Sequence, residues 1–373
     1  MSATVGGRWE EVERPRSLFG PDYLRLVALV LAALAVHGWL IAHTALTARD
    51  SLGFARQALC FENPSAAPPH GNGRPKNTLD HIREGEQHPG FALAVCATDA
   101  VLKHVSDGPT AERILLATQL TNALAATLLV VPTYLLGRML FGRNVGFAAA
   151  LLFQVLPVPA KITSDGLTEG VYLLATVSAT VLGVRAVRRP RISGFLLCGL
   201  ATGASYLVRL EGLMIAAGPG AVALWLGLTR RWPRDQALGR LTALVIGVAL
   251  VSVPYMAVIG KLTNKPSPRE MLNLDGPSGP IWKGMPNTQR PTTGAALFAE
   301  WWNEEKDAGT PRGLWAVRSV LKEMSKTSHY VVWPLALFAL VALRRRFATE
   351  PALWVPLILI AFNVVVLVVF ATR

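Results

Sequence analysis

The chain has 373 residues, of which 51% are hydrophobic and only 16% are charged, and its mean hydropathy is +0.37. A soluble domain of this length rarely combines so little charge with repeated apolar runs of about 17–25 residues, the length that spans a bilayer. These features predict an all-α polytopic membrane protein. The net charge of +13 does not indicate nucleic-acid binding, because the arginines occur in short clusters between apolar runs. Three cysteines without paired spacing exclude a disulfide framework and a cysteine-based zinc site.

The first predicted span, Tyr23–Ala45, follows a polar tail of mixed charge. Its apolar core is longer than the roughly 7–15 residues of a signal-peptide core, so a retained membrane anchor is favoured over a cleaved signal. The other runs predicted to cross the membrane are Ile114–Leu136, Val145–Ala160, Leu167–Val184, Ile192–Leu207, Gly212–Leu228, Leu241–Ile259, Tyr330–Leu343 and Leu353–Phe370.

Two long polar stretches between the spans are predicted to be outer loops. The first contains a short apolar run, Phe91–Val105, which Asp99 interrupts, and it is interpreted as a helix lying at the membrane surface. We therefore expect a multi-span helical bundle with juxtamembrane helices on its outer face. The predicted divisions are a cytoplasmic tail at 1–22, a transmembrane core at 23–260 with a first outer loop at 47–113, a second outer loop at 261–328 and further transmembrane helices at 329–373.

The arginine clusters all fall on one predicted side of the membrane. By the positive-inside rule this side is cytoplasmic, and the N-terminus lies there too. Polar residues that were not used to assign the topology fall on the opposite, outer face. They are Arg49, Asp50, His88, Asp165, Glu169, Arg209 and Glu211. Their common position predicts an active site at the outer face.

Asp165 and Glu169 place two carboxylates between two apolar runs. An acidic residue at membrane depth costs roughly 2.5–3.5 kcal/mol, so such residues usually face a wet cavity or carry function. Pro157 and Pro159 break the preceding run, which places Asp165 at the membrane surface where the next helix starts. Asp165 is then either an N-cap for that helix or a catalytic acid, with Glu169 four residues on and on the same helical face.

Arg49 and Asp50 directly follow the first span, so Asp50 is expected close to the membrane surface on the end of that helix. A carboxylate that lies beside an arginine and is partly shielded from water can act as a general base toward a hydroxyl. The alternative interpretation is that the pair only marks the wet end of the helix.

Arg209 lies in a break between two apolar runs, two residues before Glu211. An arginine at the membrane interface can hold a phosphate through two parallel charge-assisted hydrogen bonds, which suits a lipid-linked phosphate. The alternative is a local ion pair with Glu211. Residues two apart do not face each other on an α-helix, which argues against that pair.

Metal and nucleotide chemistry receive little support. The first outer loop contains His81, Glu84, Glu86 and His88, but their spacing matches no regular helical or strand pairing, so a solvated loop is favoured over a zinc site. Scattered carboxylates leave a divalent cation open, because an acidic site can work with or without one. No Gly-rich phosphate loop follows a strand, so a soluble nucleotide donor is not expected.

The order of the motifs resembles a known family. The motifs are Thr47-Ala-Arg-Asp50, His88-Pro89-Gly90, Leu136-Gly-Arg138-Met-Leu-Phe141-Gly142, Ser164-Asp165-Gly-Leu-Thr-Glu169 and Tyr206-Leu-Val-Arg209-Leu-Glu211-Gly212-Leu213. Over roughly residues 20–260 this order resembles bacterial relatives of the dolichyl-phosphate-mannose protein mannosyltransferases, which are family-39-like membrane glycosyltransferases of the GT-C fold.

The resemblance implies inverting transfer of a sugar from a polyprenyl-phosphate donor to a protein, lipid or glycan acceptor at the outer face of the bacterial inner membrane. Carried over by position, Asp50 is the general base or orients the acceptor, and Asp165 with Glu169 is the second acidic element. Arg209 binds the donor phosphate and His88 shapes the first loop. Arg49 and Glu211 complete the expected substrate-binding set.

The chain also departs from the family pattern. Asp50 has Arg49 and Ser51 as neighbours where the protein mannosyltransferases have an adjacent acidic pair, so a protein acceptor is not implied. Relatives continue through further spans, so we expect a C-terminally incomplete or shortened chain. A transporter or flippase of a lipid-linked substrate is the second hypothesis, although no matching second half is found. A non-catalytic scaffold is the third.

Overall fold

A computed structural model describes residues 22–44, 49–64, 77–105, 110–265, 317–322 and 332–372. The α-helices with assigned bounds are α1 (Asp22–His43), α2 (Arg49–Glu62), α3 (Thr78–Glu84), α4 (Pro89–Leu102), α5 (Thr110–Phe141), α6 (Arg143–Val155), α7 (Pro157–Ser164), α8 (Glu169–Arg188), α9 (Ile192–Val208), α10 (Ala217–Leu228), α11 (Arg234–Ile259), α12 (Val332–Ala342), α13 (Arg344–Thr349) and α14 (Trp354–Thr372). Two 3₁₀ helices, Leu210–Ala216 and Pro351–Leu353, run directly into α10 and α14.

These ranges contain no strand, and they contain six helices that are long and apolar enough to cross a membrane, or seven if α6 and α7 count as one bent span. The prediction of an all-α polytopic membrane protein is confirmed. Several helices extend past the predicted apolar runs: α11 begins at Arg234 where the run begins at Leu241. Apolar runs mark only the part of a helix that lies in lipid, whereas backbone hydrogen bonding continues into the polar flanks.

Close helix packing organises the centre of the bundle. α9 packs between α8 and α11, and α5 packs against α8, α6 and α1. At the α9–α11 contact a Cβ added to Gly199 would lie 2.2 Å from the Leu244 carbonyl oxygen, and one added to Gly247 would lie 2.4 Å from that of Leu196. Small residues are thus required here because the two backbones touch, as is common between membrane helices.

The span that was predicted as Val145–Ala160 is broken. α6 ends at Val155, α7 starts at Pro157, and the two helices are bent by 64°. Proline fits the first turn of a helix, where no backbone N–H is needed, so it ends α6 and starts α7. The bend carries α7 to the loop that holds Asp165.

The two ends of the bundle are chemically distinct. The ends of α1, α5 and α6 meet at Asp22, whose carboxylate pairs with Arg138 at 2.9 Å and with Arg143 at 3.3 Å. α8 and α13 meet at Glu350, which pairs with Arg188 and Arg346. This end, which we call the basic end, gathers the arginine clusters of these helices.

The opposite end of the bundle carries α2, α3 and α4. An apolar cluster joins α2 and α4 to the start of α5 and the end of α9 through Phe54, Phe91, Ile114 and Val208. With 14 residues α4 is about 21 Å long, shorter than the roughly 30 Å hydrocarbon core, which agrees with a surface helix. Asp99 within it is fully buried and pairs with Arg113 at 2.9 Å.

Candidate functional site

Asp165 lies in the loop between α7 and α8, at the end of the bundle opposite the basic end. Its side chain is buried, and its Oδ1 accepts hydrogen bonds from the Gly166 backbone N–H at 2.7 Å and from the Ser51 hydroxyl at 3.2 Å. Ser51 is itself fully buried in α2. α2 is therefore joined to the Asp165 carboxylate by a direct side-chain hydrogen bond.

The interpretation of Asp165 as an N-cap is wrong. α8 starts at Glu169 with Thr168 in the N-cap position, and Asp165 instead caps the C-terminus of α7. The turn at 166–168 moves the start of α8 by one turn, so the first turn of that helix does not use the Asp165 carboxylate. The side chain contacts α2 instead.

Asn122, in the interior of α5, fixes this loop, and the sequence analysis missed it. Its Nδ2 donates to the backbone oxygens of Asp165 at 2.7 Å and Ile162 at 3.1 Å, and its Oδ1 accepts the Gly170 backbone N–H. One carboxamide thus holds both ends of the loop that connects Asp165 to Glu169. An asparagine inside a long apolar helix was the available sequence signal, because buried polar groups need partners.

The sequence predicted that Asp50 lies on the end of the first span, but the structure places it on the next helix. α1 ends at His43, and Asp50 lies in the first turn of α2. It is exposed and has no hydrogen bond or ion pair within the described residues. The next residue, Ser51, donates a hydrogen bond to the Asp165 carboxylate. The Asp50 Cα therefore lies about 3.8 Å from the Cα of a residue that contacts Asp165. The Arg49 side chain lies outside the described residues.

Arg209 brings two further candidates together. Its Nη1 donates to Glu169 Oε1 at 2.8 Å, and its Nε lies 3.6 Å from Glu211 Oε2. The argument against an Arg209–Glu211 pair is therefore wrong. It assumed α-helical geometry, but Arg209 is extended (φ −151°, ψ 144°) and Leu210–Ala216 is a 3₁₀ helix.

The environment of Arg209 keeps it charged. Burial lowers its pKa, but the carboxylates of Glu211 and Glu169 outweigh burial, so that the pKa is raised above its usual value. The guanidinium also lies 5.4 Å from the centre of the Tyr172 ring, within cation–π range. Glu169 Oε2 is buried without a hydrogen-bond partner in the described residues, so this pair retains an open acceptor.

His88 precedes α4 and packs into an aromatic cluster next to these groups. Its ring lies 5.1 Å from that of Tyr206 and 5.3 Å from that of Tyr255, and its Nε2 lies 3.0 Å from the Thr263 hydroxyl. Burial lowers the pKa of His88 to about 4, although Glu211 opposes the shift. His88 is therefore a neutral residue at neutral pH, which joins α4 to α9 and α11.

A buried polar network supports the loop from below. His37 of α1 places Nδ1 2.7 Å from the Ser164 hydroxyl and Nε2 2.8 Å from Gln154 Oε1. Gln154 Nε2 donates to the Ala126 carbonyl at 2.8 Å, so its Oε1 must accept from His37. The neutral imidazole then carries its proton on Nε2, and Nδ1 accepts from Ser164, the residue before Asp165.

A comparison with protein families identifies the central part of the chain. Residues 113–256 match the family model described as dolichyl-phosphate-mannose-protein mannosyltransferase. This central segment of the chain is similar to that mannosyltransferase family. No curated protein matches the chain. The match supports a membrane glycosyltransferase and confirms the family resemblance that the motifs suggested.

The match to the mannosyltransferase family covers only part of the candidate site. Asp165, Glu169, Arg209 and Glu211 lie within it, as does Asn122. Arg49 and Asp50 of α2 and His88 at the start of α4 lie before the matched segment.

The described residues contain no group of three or more His, Cys, Asp or Glu side chains positioned to hold a metal ion. His81 Nε2 lies 3.1 Å from the Pro64 carbonyl oxygen, and His88 faces the aromatic cluster. His81 and His88 therefore have separate environments.

Proposed function

We propose that this mannosyltransferase relative transfers a sugar from a polyprenyl-phosphate donor to an acceptor at the non-basic end of the bundle, with inversion at the anomeric carbon. One observation carries the proposal: within the matched segment, Asn122 holds both ends of the loop between Asp165 and Glu169, and Glu169 pairs with Arg209. Transfer of a sugar from a lipid phosphate requires an acidic group that accepts the proton of the acceptor and a cation that stabilises the phosphate leaving group.

In this proposal Asp50 accepts a proton and Asp165 orients a substrate. Asp50 is exposed and its carboxylate has no partner within the described residues, so it acts as the general base toward the acceptor hydroxyl or amine. The acceptor oxygen or nitrogen attacks the anomeric carbon and loses its proton to Asp50 as the carbon–oxygen bond to the phosphate breaks. Asp165, held by Ser51 and Gly166, orients the acceptor or the sugar.

Arg209 stabilises the leaving group. A departing polyprenyl phosphate needs a cation but no proton, and the planar guanidinium offers paired donors to its oxygens. Without a bound donor, the Arg209 guanidinium forms ion pairs with Glu169 and Glu211. Donor binding then exchanges one carboxylate for the phosphate, and the released glutamate becomes available to the sugar hydroxyls.

The arginines at the basic end favour a cytoplasmic position for that end, by the positive-inside rule. The candidate site then faces the outer side of the bacterial inner membrane. This side is where polyprenyl-phosphate sugars replace nucleotide donors as a sugar source for exported acceptors.

The test is a transfer assay in membranes with labelled polyprenyl-phosphate sugars, using the wild type, Asp50→Asn and the matched control Asp80→Asn. Asp80 lies on α3 in the same outer segment, where it only caps its own helix. We expect transfer by the wild type and by Asp80→Asn and loss of transfer in Asp50→Asn. Equal transfer by all three proteins would contradict the role of Asp50, and no transfer by any inserted protein would contradict the proposed reaction.

A further inference from the structure

A groove of about 680 Å³ lies between α1 and the bent α6–α7 segment, next to the loop that holds Asp165. Apolar side chains line most of it. The lining includes Ala35, Trp39 and Thr44 from the α1 side and Pro157 and Lys161 of α7. Lys161 supplies the single charged side chain of this lining.

The groove follows the second half of α1, which leads away from the basic end. From Ala35 to Thr44 the chain rises by about 14 Å at 1.5 Å per residue, away from the basic end. Trp39 is 61% exposed, and tryptophan and lysine side chains typically lie at the level of the lipid headgroups. The groove therefore has an apolar lower part at hydrocarbon depth and a cationic mouth at the interface.

Lys161 is linked to the candidate site through the backbone. Its carbonyl oxygen accepts the Asp165 backbone N–H at 3.2 Å, so the two residues are one helical turn apart at the end of α7. Its side chain is exposed, and no ion pair of Lys161 occurs in the part of the chain that the structure describes. Arg209, in contrast, already has two carboxylate partners.

We propose that this groove binds the hydrocarbon chain of the polyprenyl-phosphate donor, with Lys161 contacting its phosphate. The inference rests on the proposed function, because it assumes that the lipid is the sugar donor. An apolar channel that ends at an exposed cation, one helical turn from the Asp165 carboxylate, is complementary to an anionic lipid whose reactive carbon lies next to its charge. The phosphate is then held from one side by Lys161 and released toward Arg209.

The first test maps the bound lipid without requiring activity. The inserted full chain is irradiated with a polyprenyl phosphate that carries a diazirine in its first isoprene units, and the labelled peptides are identified. We expect labels on the α1 segment at 35–44 and on α7, and we expect polyprenyl phosphate, but not an equal concentration of phosphatidylglycerol, to compete. Labels confined to other helices, or equal competition by phosphatidylglycerol, would overturn the proposal.

The second test separates donor binding from chemistry. Lys161→Gln and the groove-filling Ala35→Trp should each raise the KM for the donor about tenfold with kcat changed less than threefold, and Lys161→Arg should restore most of the affinity. The controls are Lys261→Gln, an exposed lysine after α11, and Leu250→Trp, on the exposed face of α11. A donor KM for Lys161→Gln and Ala35→Trp equal to that of the controls would overturn the groove while leaving the proposed transfer intact.

If the wild type transfers no sugar, the proposed function fails, and the labelling experiment still decides the groove. Labels at 35–44 would support lipid binding there, whereas their absence would exclude it. The two failures are thus distinguishable.

Discussion

The ion pairs at the basic end and those in the candidate site have opposite compositions. At the basic end two carboxylates each have two arginine partners: Asp22 pairs with Arg138 and Arg143, and Glu350 pairs with Arg188 and Arg346. In the candidate site the ratio is reversed, because Arg209 has two carboxylate partners, Glu169 and Glu211.

This reversal separates a structural use of charge from a functional one. A carboxylate between two cations has its acceptor oxygens occupied, and the ion pairs connect helices that are distant in sequence. At the other end, Glu169 keeps one buried oxygen without a partner in the described residues, and Asp50 is exposed there. Buried polar atoms rarely remain unpaired unless a ligand or water completes them, so the open Glu169 oxygen supports the proposal that a ligand binds beside Arg209.

The largest expected effect follows removal of the central cation. Arg209→Ala should lower transfer by about 100- to 1,000-fold, since loss of one group that stabilises developing charge has a cost of this size. The control is Arg231→Ala at the basic end, which also loses a cation–π contact, with Trp225 at 4.9 Å. Transfer rates per folded protein check the prediction, and a similar loss in both variants would contradict the contrast between the ends.

Breaking the loop clamp should affect both folding and activity. Asn122→Ala leaves the backbone groups of Asp165, Ile162 and Gly170 without this partner, and we expect about 2–3 kcal/mol of destabilisation. Thr127→Val on the same helix is the control, because Thr127 bonds only the Ala123 carbonyl of its own helix. Thermal unfolding in detergent measures the difference. An Asn122→Ala protein as stable as the control would refute the clamp.

The aromatic cluster predicts a pH dependence. The pKa of His88 is about 4 in the folded chain and 6.5 for an ordinary histidine, so below pH 6.5 the unfolded chain takes up a proton that the folded chain does not. Stability should therefore fall as pH drops from 6.5 toward 4, by about 2 kcal/mol at pH 5, and should be independent of this group above pH 7. Unfolding curves at pH 7 and pH 5 test this: His88→Gln should lose less stability than the wild type, and an identical loss would contradict the assignment.

The smallest effect is expected at the basic end. Tyr134 donates its hydroxyl to Asp22 at 2.7 Å, and Tyr134→Phe removes this bond while the two arginine pairs remain. A loss of about 1 kcal/mol is expected from one hydrogen bond, with the transfer rate per folded protein unchanged. A transfer defect larger than the stability defect would show that this end also acts in the reaction.

Hydropathy was sufficient to predict the membrane helices, because an apolar run of spanning length has few other stable structures. Charge at membrane depth was sufficient to select Asp165, Glu169 and Arg209. The partners were not predictable, since the Asn122 and His37 contacts join residues 43 and 127 positions apart. The pairing of Arg209 with Glu211 was also missed, because it depends on a local departure from α-helical geometry that hydropathy does not record.

The helix that carries Asp50 shows the same limit. The sequence placed Asp50 at the end of the first span from its proximity in the chain, whereas it belongs to α2. α2 is held by the packing of Phe54 against Phe91 and by the Ser51–Asp165 hydrogen bond, which form only in the folded molecule. Polar residues next to a span therefore indicate which face they occupy, but not which helix carries them.

The most direct test of the contrast between the two ends compares Asp165→Asn with Asp22→Asn, measuring both thermal stability and sugar transfer per folded protein. Asparagine at 165 can still accept the Ser51 and Gly166 hydrogen bonds, so we predict near wild-type stability with transfer reduced about 100-fold through loss of orientation. Asp22→Asn should show the reverse, lowered stability with normal transfer by the folded fraction. Normal transfer by a stable Asp165→Asn protein would contradict the account.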